Sequence, residues 1–537
     1  MVLTSERGSN EVAAEPFVEG PLPAARSFVV RVIPGLMGSQ WLIPAAAVCI
    51  TIAVSFLYRP LSQPERGDPA IYEYIGQSIL RGQVPYRDVI DPKGPGAMYL
   101  SALAMWAGRR LGIQDVLAVR YVYILLAGVL SMLTAMVATR FFASRLAAIL
   151  AFLIPLVPSR YSLMIIEGSQ PKLLMMVFGM SALMFVALDY PFWAGFCSML
   201  SCLCWQPGLL FAGAAVLVFS RYLTSWRDLR AARVIAGAIL PLAVVLMYFL
   251  WRGALGDLWS WAFTYDYKVF MPAGLRPGRQ AWQDLVSVLR ERVFDQDFVL
   301  IPIAFTGMLL YGYERLMEKL RGQGLQSAYL YRDALFICPV IYLAFCILNF
   351  QSSPDTIPFF PFIGLFGAWF FVRGSGALAA LWRPTALSRK VQLDSVIPAV
   401  VIGLVMFIMF RNAVSYRLDV RTLAEQYDEA RIIAGYLGPS DKIYVHGPAE
   451  LLVALDRPNL NPYIEFNTGS DDYAAANRPG GFASLMVEME SARPKIVVMG
   501  RLQNVRHRAE LEAWVEEHYV KLELPWLNNV YIRKGDN

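Results

Sequence analysis

Long apolar runs alternate with short polar ones along most of the chain, and the runs are long enough to read as membrane spans rather than core helices. Apolar segments lie near 41–58, 119–139, 146–166, 172–189, 193–220, 234–251, 298–313, 334–350, 358–372 and 395–411. The 193–220 stretch exceeds one span, and "WQPG" (Trp205 to Gly208) interrupts it, so it reads as two short spans and the total as about eleven. The first run, "WLIPAAAVCITIAVSFLY", follows some forty polar residues without a small-residue cleavage site, which predicts a retained span and not a signal peptide. Residues 1–40 read as a disordered cytoplasmic N-terminus and 41–412 as the transmembrane module.

From about residue 413 the pattern changes. "DVRTLAEQYDEARIIAGYLG" is helical, "DKIYVHG" strand-like, "ASLMVEMESA" helical, "PKIVVMG" strand-like and "RAELEAWVEEHYV" helical, which predicts a small α/β domain over 413–537. The expected fold class is thus a polytopic α-helical membrane protein of about 11 helices with a C-terminal extracytoplasmic α/β domain.

Composition agrees: 56% of the residues are hydrophobic and 17% charged. The net charge of +6 does not imply nucleic acid, because the Arg and Lys fall mostly in loops between spans, where they set orientation. Arg140 and Arg145, then Arg221, Arg227, Arg230 and Arg233, then Arg315, Lys319, Arg321 and Arg332, and finally Arg373, Arg383, Arg389 and Lys390 all fall inside if the N-terminus is cytoplasmic. This parity requires "GAMYLSALAMWAGRRLG" (Gly96 to Gly112) to lie along the membrane; a twelfth, short span is the alternative. The outer face then receives the loop 59–118, the loops 159–171 and 252–297, "QSSPDT" (Gln351 to Thr356) and the C-terminal domain. The six Cys lie in apolar runs without C-x-x-C spacing, and the three His all follow residue 445, so chemistry in the membrane region must use carboxylates, Tyr, Lys and Arg.

The first outer loop is the polar exception. In "RGDPAIYEYIGQSILRGQVPYRDVIDPKGP", Pro69 to Leu80 is predicted helical, with Asp68 at its N-cap. Tyr72, Ile75 and Ile79 share a face that would rest on the membrane surface, so interfacial helices belong to the expected fold. Turns at "RGQVPYRD" and "DPKGPG" bring Asp88, Asp91 and Lys93 back over the bundle. The bland reading is that these charges solvate a loop and that Asp68 only caps a helix.

This loop resembles that of the C-type glycosyltransferase superfamily, which includes protein O-mannosyltransferases and lipid A aminoarabinose transferases. The matching features are Asp68, the helix Tyr72, the "GQVPYRD" turn and Lys93. Pro69 stands where the family usually carries Glu, and "KGP" replaces Lys-Pro-Pro. The resemblance implies transfer of a sugar, with inversion, from a polyprenyl-phosphate donor to an extracytoplasmic lipid, glycan or protein acceptor at a bacterial inner membrane. Asp68 would be the base, and Lys93, Arg81 and Arg87 would bind the donor phosphate. Asp88, Asp91 and Glu167 would support them or hold a divalent cation.

Tyr72, Gln170, Asp266 and Tyr267 are further substrate-binding candidates. Lys172 could meet a phosphate, Asp257 and Asp355 face the same side, and Gln206 sits at the break in the split span, where helix glue ranks first. His446 and Glu450 lack a third metal ligand. Two other functions compete: a ligase or polymerase using a lipid-linked oligosaccharide, and a transporter or flippase, which would carry its ionisable residues at midplane.

Overall fold

The computed structural model describes residues 41–220, 229–275, 278–321, 331–382, 393–418, 420–466, 469–500, 502, 505–525 and 527–535. The expected N-terminal segment 1–40 and the loop cations Arg221, Arg227, Arg383, Arg389 and Lys390 lie outside these residues.

Every predicted apolar segment is helical. Asp115–Phe142, Arg230–Trp251, Arg332–Asn349, Ser353–Leu378 and Val396–Ser415 are long and apolar enough to cross a membrane. Leu42–Leu57, Pro171–Ala187, Pro191–Cys204 and Gln206–Ser220 are shorter apolar helices. One segment read as a single span, 146–166, is instead a bent pair in which Arg145–Leu156 turns by 75° into Ser159–Ile166, and the expected outer loop 252–297 ends in a helix, Gly278–Asp297, that turns by 103° into the span Leu300–Leu320. The first bend falls at Val157 and Pro158, where proline cannot continue the ladder. The helices pack closely through small residues, as expected where lipid offers no hydrophobic drive between them. A Cβ on Gly195 would lie 1.9 Å from the Val234 carbonyl oxygen, and one on Gly237 2.0 Å from that of Phe192.

Gly96–Arg110 is a helix of 15 residues that is not among those long and apolar enough to cross. It starts against Leu203 and Cys204 and ends with Arg109 bonded to Asp115 and Asp456.

The C-terminal segment forms a four-stranded sheet of β1 (Ile443–His446), β2 (Ile496–Met499), β3 (Tyr519–Leu522) and β4 (Val530–Arg533), ordered β1-β2-β4-β3. β1 and β2 are parallel and fully buried, as their unbroken apolar runs require. β4 runs antiparallel to both β2 and β3. The helix over "RAELEAWVEEHYV" stops at His518, and the remaining residues open the β3–β4 hairpin, which the pattern reading missed. Leu423–Gly435 begins with a capping box between Thr422 and Glu425.

This segment also corrects the picture of the first loop. The helix Asp68–Leu80 does not rest on the membrane surface by a Tyr72, Ile75 and Ile79 face, since every residue from Pro69 to Ser78 is buried. Its other face is covered by residues 453–463: Gln77 Nε2 donates to the Val453 carbonyl at 3.1 Å, Asn459 N–H to the Tyr74 hydroxyl at 2.7 Å, and Ile90 N–H to the Pro462 carbonyl at 2.9 Å. A reading of one helix at a time cannot see a partner some 370 residues away.

Candidate active site

The entry to the loop is set by Arg120, a fully buried cation near the start of the Asp115–Phe142 helix. Its guanidinium donates to the carbonyls of Pro60 and Gln63, each at 2.7 Å, and of Pro64 at 3.2 Å, and lies 3.5 Å from Glu65. The chain then reverses at Gly67, whose φ of 71° suits glycine, and enters the helix. Gly67, not Asp68, is the N-cap. Asp68 is the first helical residue and its side chain makes no capping hydrogen bond, because Pro69 in the first turn already removes one orphan N–H. The half-buried Asp68 carboxylate is therefore not consumed by the helix end.

Lys93 is the centre of the site. Burial pulls its ammonium pKa down, but Asp91, Asp68, Asp266 and Asp355 together outweigh burial and raise it above the ordinary lysine value. Asp91 is buried, accepts from the Lys93 N–H at 2.9 Å, and has its pKa raised by burial against the pull of Lys93. Asp266 is half-buried on a π-helical stretch, Ser260–Phe270, that turns it towards Lys93; burial lifts its pKa to about 6. Tyr72 is buried beside Asp91 and Asp68, and burial with these two charges keeps its phenol protonated. The turn is pinned: Tyr86 hydroxyl donates to the Lys93 carbonyl at 2.7 Å, and Gln206 Nε2, from the broken span, donates to that of Pro92 at 3.1 Å. A Cβ at Gly94 would lie 2.3 Å from the Leu203 carbonyl oxygen, which is why "KGP" rather than Lys-Pro-Pro fits this backbone.

Two cavities adjoin this turn. An apolar groove of about 530 Å³ begins at Pro95 and Gly96 and runs past Tyr99, Leu174, Phe178 and Val244. A small cavity of about 40 Å³ lies against Asp91 and Pro92, walled by Trp261, Tyr265 and Tyr463. Lys172 is not free beside them: its ammonium is 2.9 Å from Asp355 and 4.9 Å from the Trp205 ring. Asp355 also accepts from the N–H groups of Gln351 and Ser352.

Several expected residues lie elsewhere. Arg81 pairs with Asp456 at 2.8 Å, and Arg87 pairs with Asp88 and donates to the Arg252 carbonyl, so neither guanidinium joins Lys93. Asp88 is held by Arg87 and the Val84 N–H, which lower its pKa, and Asp257 is near this pair. Tyr267 is 77% exposed. Gln170 is buried at the N-cap of Pro171–Ala187, with no side-chain cap hydrogen bond. His446 is buried and bonded through both ring nitrogens, to the Gly500 carbonyl and from the Phe466 N–H, so it is a packing residue.

Glu167 belongs to a second centre that the pattern reading missed. It lies 3.7 Å from Arg66 and 3.8 Å from Arg160, with its pKa raised by burial. Beside it Glu65 and Glu73 are buried together; burial raises Glu65 to about 7 and Glu73 well above the ordinary range. Glu73 accepts from the Ser169 N–H at 3.3 Å. Arg120, a cation at the start of an apolar run, was the available signal for this centre.

Asp88, Asp91 and Glu167 are thus separately engaged and do not fit a common divalent cation. Among the described residues, Asp471, Asp472 and His507 alone bring three such donor atoms within 4.8 Å of one another, outside the first loop. There Asp471 already accepts from the Arg506 and His507 N–H groups, and Asp472 pairs with Arg506.

No protein-family model matches the sequence, and no curated protein sequence matches it. Solved structures do match. ArnT from Cupriavidus metallidurans, solved bound to undecaprenyl phosphate, is 14% identical and superposes with a TM-score of 0.60 over 92% of this chain and 98% of its own. The archaeal oligosaccharyltransferase AglB from Archaeoglobus fulgidus, solved with an inhibitory peptide and a dolichol-phosphate, is 14% identical, with a TM-score of 0.52 over 92% of this chain and 75% of its own. The fold is that of the C-type glycosyltransferases, as the loop motif implies.

Proposed function

We propose that the chain is a polyprenyl-phosphate-dependent glycosyltransferase of a bacterial inner membrane, with a cytoplasmic N-terminus and with the Asp68 loop and the domain 413–537 on the outer face. The observation that carries this reading is the uncapped Asp68 carboxylate beside Lys93, at a turn where an apolar groove begins. Such a groove suits a prenyl chain, and Lys93 two residues earlier suits its phosphate. The undecaprenyl and dolichol phosphates held by two proteins of the same fold support that donor class.

In the reaction, Asp68 takes the proton of the acceptor hydroxyl as its oxygen attacks the anomeric carbon. The bond from that carbon to the phosphate oxygen breaks, and the electron pair leaves on the polyprenyl phosphate, whose charge Lys93 balances. Attack opposite the leaving group inverts the anomeric centre. Asp91 fixes the Lys93 backbone, the half-buried Asp266 would accept from a substrate hydroxyl, and the buried Tyr72 backs Asp68 and Asp91.

The test is reconstitution in liposomes with a polyprenyl-phosphate-sugar extract, followed by mass spectrometry of donor and acceptor. Loss of sugar from the donor with a matching gain on an acceptor is expected. Movement of the intact lipid between leaflets without a new glycosidic bond would instead identify a flippase, and transfer of a whole oligosaccharide a ligase.

A further inference from the structure

We propose that Asp471, Asp472 and His507 bind a divalent transition-metal ion of the zinc class, which clasps the turn at Arg506 and His507 to the helix Ser470–Ala476. One donor atom from each lies within 4.8 Å of the others. What points to a ligand there is Asp471. Its side chain is fully buried, and only one of its oxygens is engaged: Oδ2 accepts from the Arg506 N–H at 2.7 Å and from the His507 N–H at 3.2 Å, while Oδ1 is buried without a hydrogen-bond partner. A buried carboxylate oxygen that no donor meets costs free energy, which a bound cation would offset.

The other two groups are spaced for a metal rather than for each other. His507 Nε2 stands 3.6 Å from Asp472 Oδ1, too far for a hydrogen bond. Zinc bonds of about 2.0–2.2 Å place two tetrahedral ligands about 3.3–3.6 Å apart. The imidazole is also set for the role: Nδ1 lies 3.0 Å from Glu510 Oε1, and the ring stacks on Phe482 with centroids 3.9 Å apart. A carboxylate on Nδ1 fixes the tautomer that leaves Nε2 as the ligand atom. One imidazole with two carboxylates suits zinc better than magnesium or calcium, which take oxygen ligands. Arg506 pairs with Asp472 at 3.3 Å, but its side chain is 76% exposed and is free to turn into water when the ion takes that oxygen. The same short helix carries Tyr473, whose hydroxyl is 2.7 Å from Ser260 Oγ on the π-helical stretch that holds Asp266, so the ion would brace the support of that stretch.

The probe is zinc chloride, added to the purified full-length protein in detergent after stripping with a chelator; calorimetry reads binding and thermal unfolding reads its effect. One ion per chain should bind and raise the melting temperature. Asp472→Asn and His507→Ala should each abolish that binding, the former with the metal-free melting temperature unchanged. Glu510→Gln should weaken it about 10- to 100-fold, whereas Arg506→Gln, which removes the competing cation, should strengthen it. His518→Ala, at a separate histidine–carboxylate pair with Glu490, should leave it intact. No bound zinc, or zinc retained by both Asp472→Asn and His507→Ala, overturns the proposal, as does a loss of binding confined to His518→Ala. An equal rise in melting temperature with magnesium chloride overturns the choice of ion.

Discussion

Two clusters of charge flank the helix that begins at Asp68, and they treat burial in opposite ways. Around Glu65, Glu73 and Arg120 the chain seals charge away: Arg120 spends its donors on three carbonyls, and two carboxyls face each other with raised pKa values. Around Lys93 the carboxylate of Asp68 is left half-buried and uncapped, and the surrounding backbone is pinned by Tyr86 and Gln206 instead. The first cluster holds the loop entry through the Arg120 Nη groups, while both Glu65 oxygens and Glu73 Oε2 stay buried without a hydrogen-bond donor. The second fixes its backbone with neutral donors, which under the proposed function leaves its charge for a ligand. Arg120 is bound to backbone carbonyls, whereas Lys93 lies amid several carboxylates, the setting the proposed function assigns to a ligand.

Substitutions can separate the two. Asp68→Asn should lower transfer about 10²- to 10⁴-fold, the usual contribution of a positioned base, with an unchanged melting temperature. A melting temperature that falls with activity would return Asp68 to the structural class. Arg120→Met should do the reverse, costing about 3–5 kcal/mol of stability by leaving Glu65 and three carbonyls unpaired, as read by thermal unfolding in detergent. Lys93→Ala should weaken donor binding by about 1.5–3 kcal/mol, the worth of a charged hydrogen bond, measured as affinity for the prenyl-phosphate sugar. Gly94→Ala should cost about 1–3 kcal/mol by forcing the turn off Leu203, and activity should fall with it. The smallest effect is one of pH. Folding raises Glu65 from an ordinary value of 4.5 to about 7, so the native state binds more protons in that interval and stability falls as pH rises through it. Glu65→Gln should flatten that slope; an unchanged slope would show that burial does not raise the Glu65 carboxyl as described.

What could be read in the sequence follows the range of each interaction. The apolar segments were legible because each span is decided by its own residues and the bilayer. Asp68 and Lys93 were legible as members of an ordered motif, and their proximity follows from two short turns. Arg81 and Arg87 were misplaced because their partners decide where they point, and Asp456 is 375 residues from Arg81. Glu73 reads as a solvated helix residue until the helix is seen to be covered on both sides. The bend at Pro158 has a local cause and could have been foreseen; the π-helical turn that places Asp266 has no counterpart in the periodicity.

The stitching of the Asp68 helix to residues 453–463 also bears on when the protein becomes competent during its own synthesis. The loop leaves the ribosome early, yet Gln77, Tyr74 and Ile90 find their partners only after about 370 further residues have been made. At 5–20 residues per second that delay is on the order of 20 to 75 s. During it the apolar spans can insert, but Tyr72 and Tyr74 have no cover and the Lys93 turn lacks one of its walls. Synthesis past about residue 463 is therefore the step that lets the loop be covered, and a product terminated before it would lack these contacts.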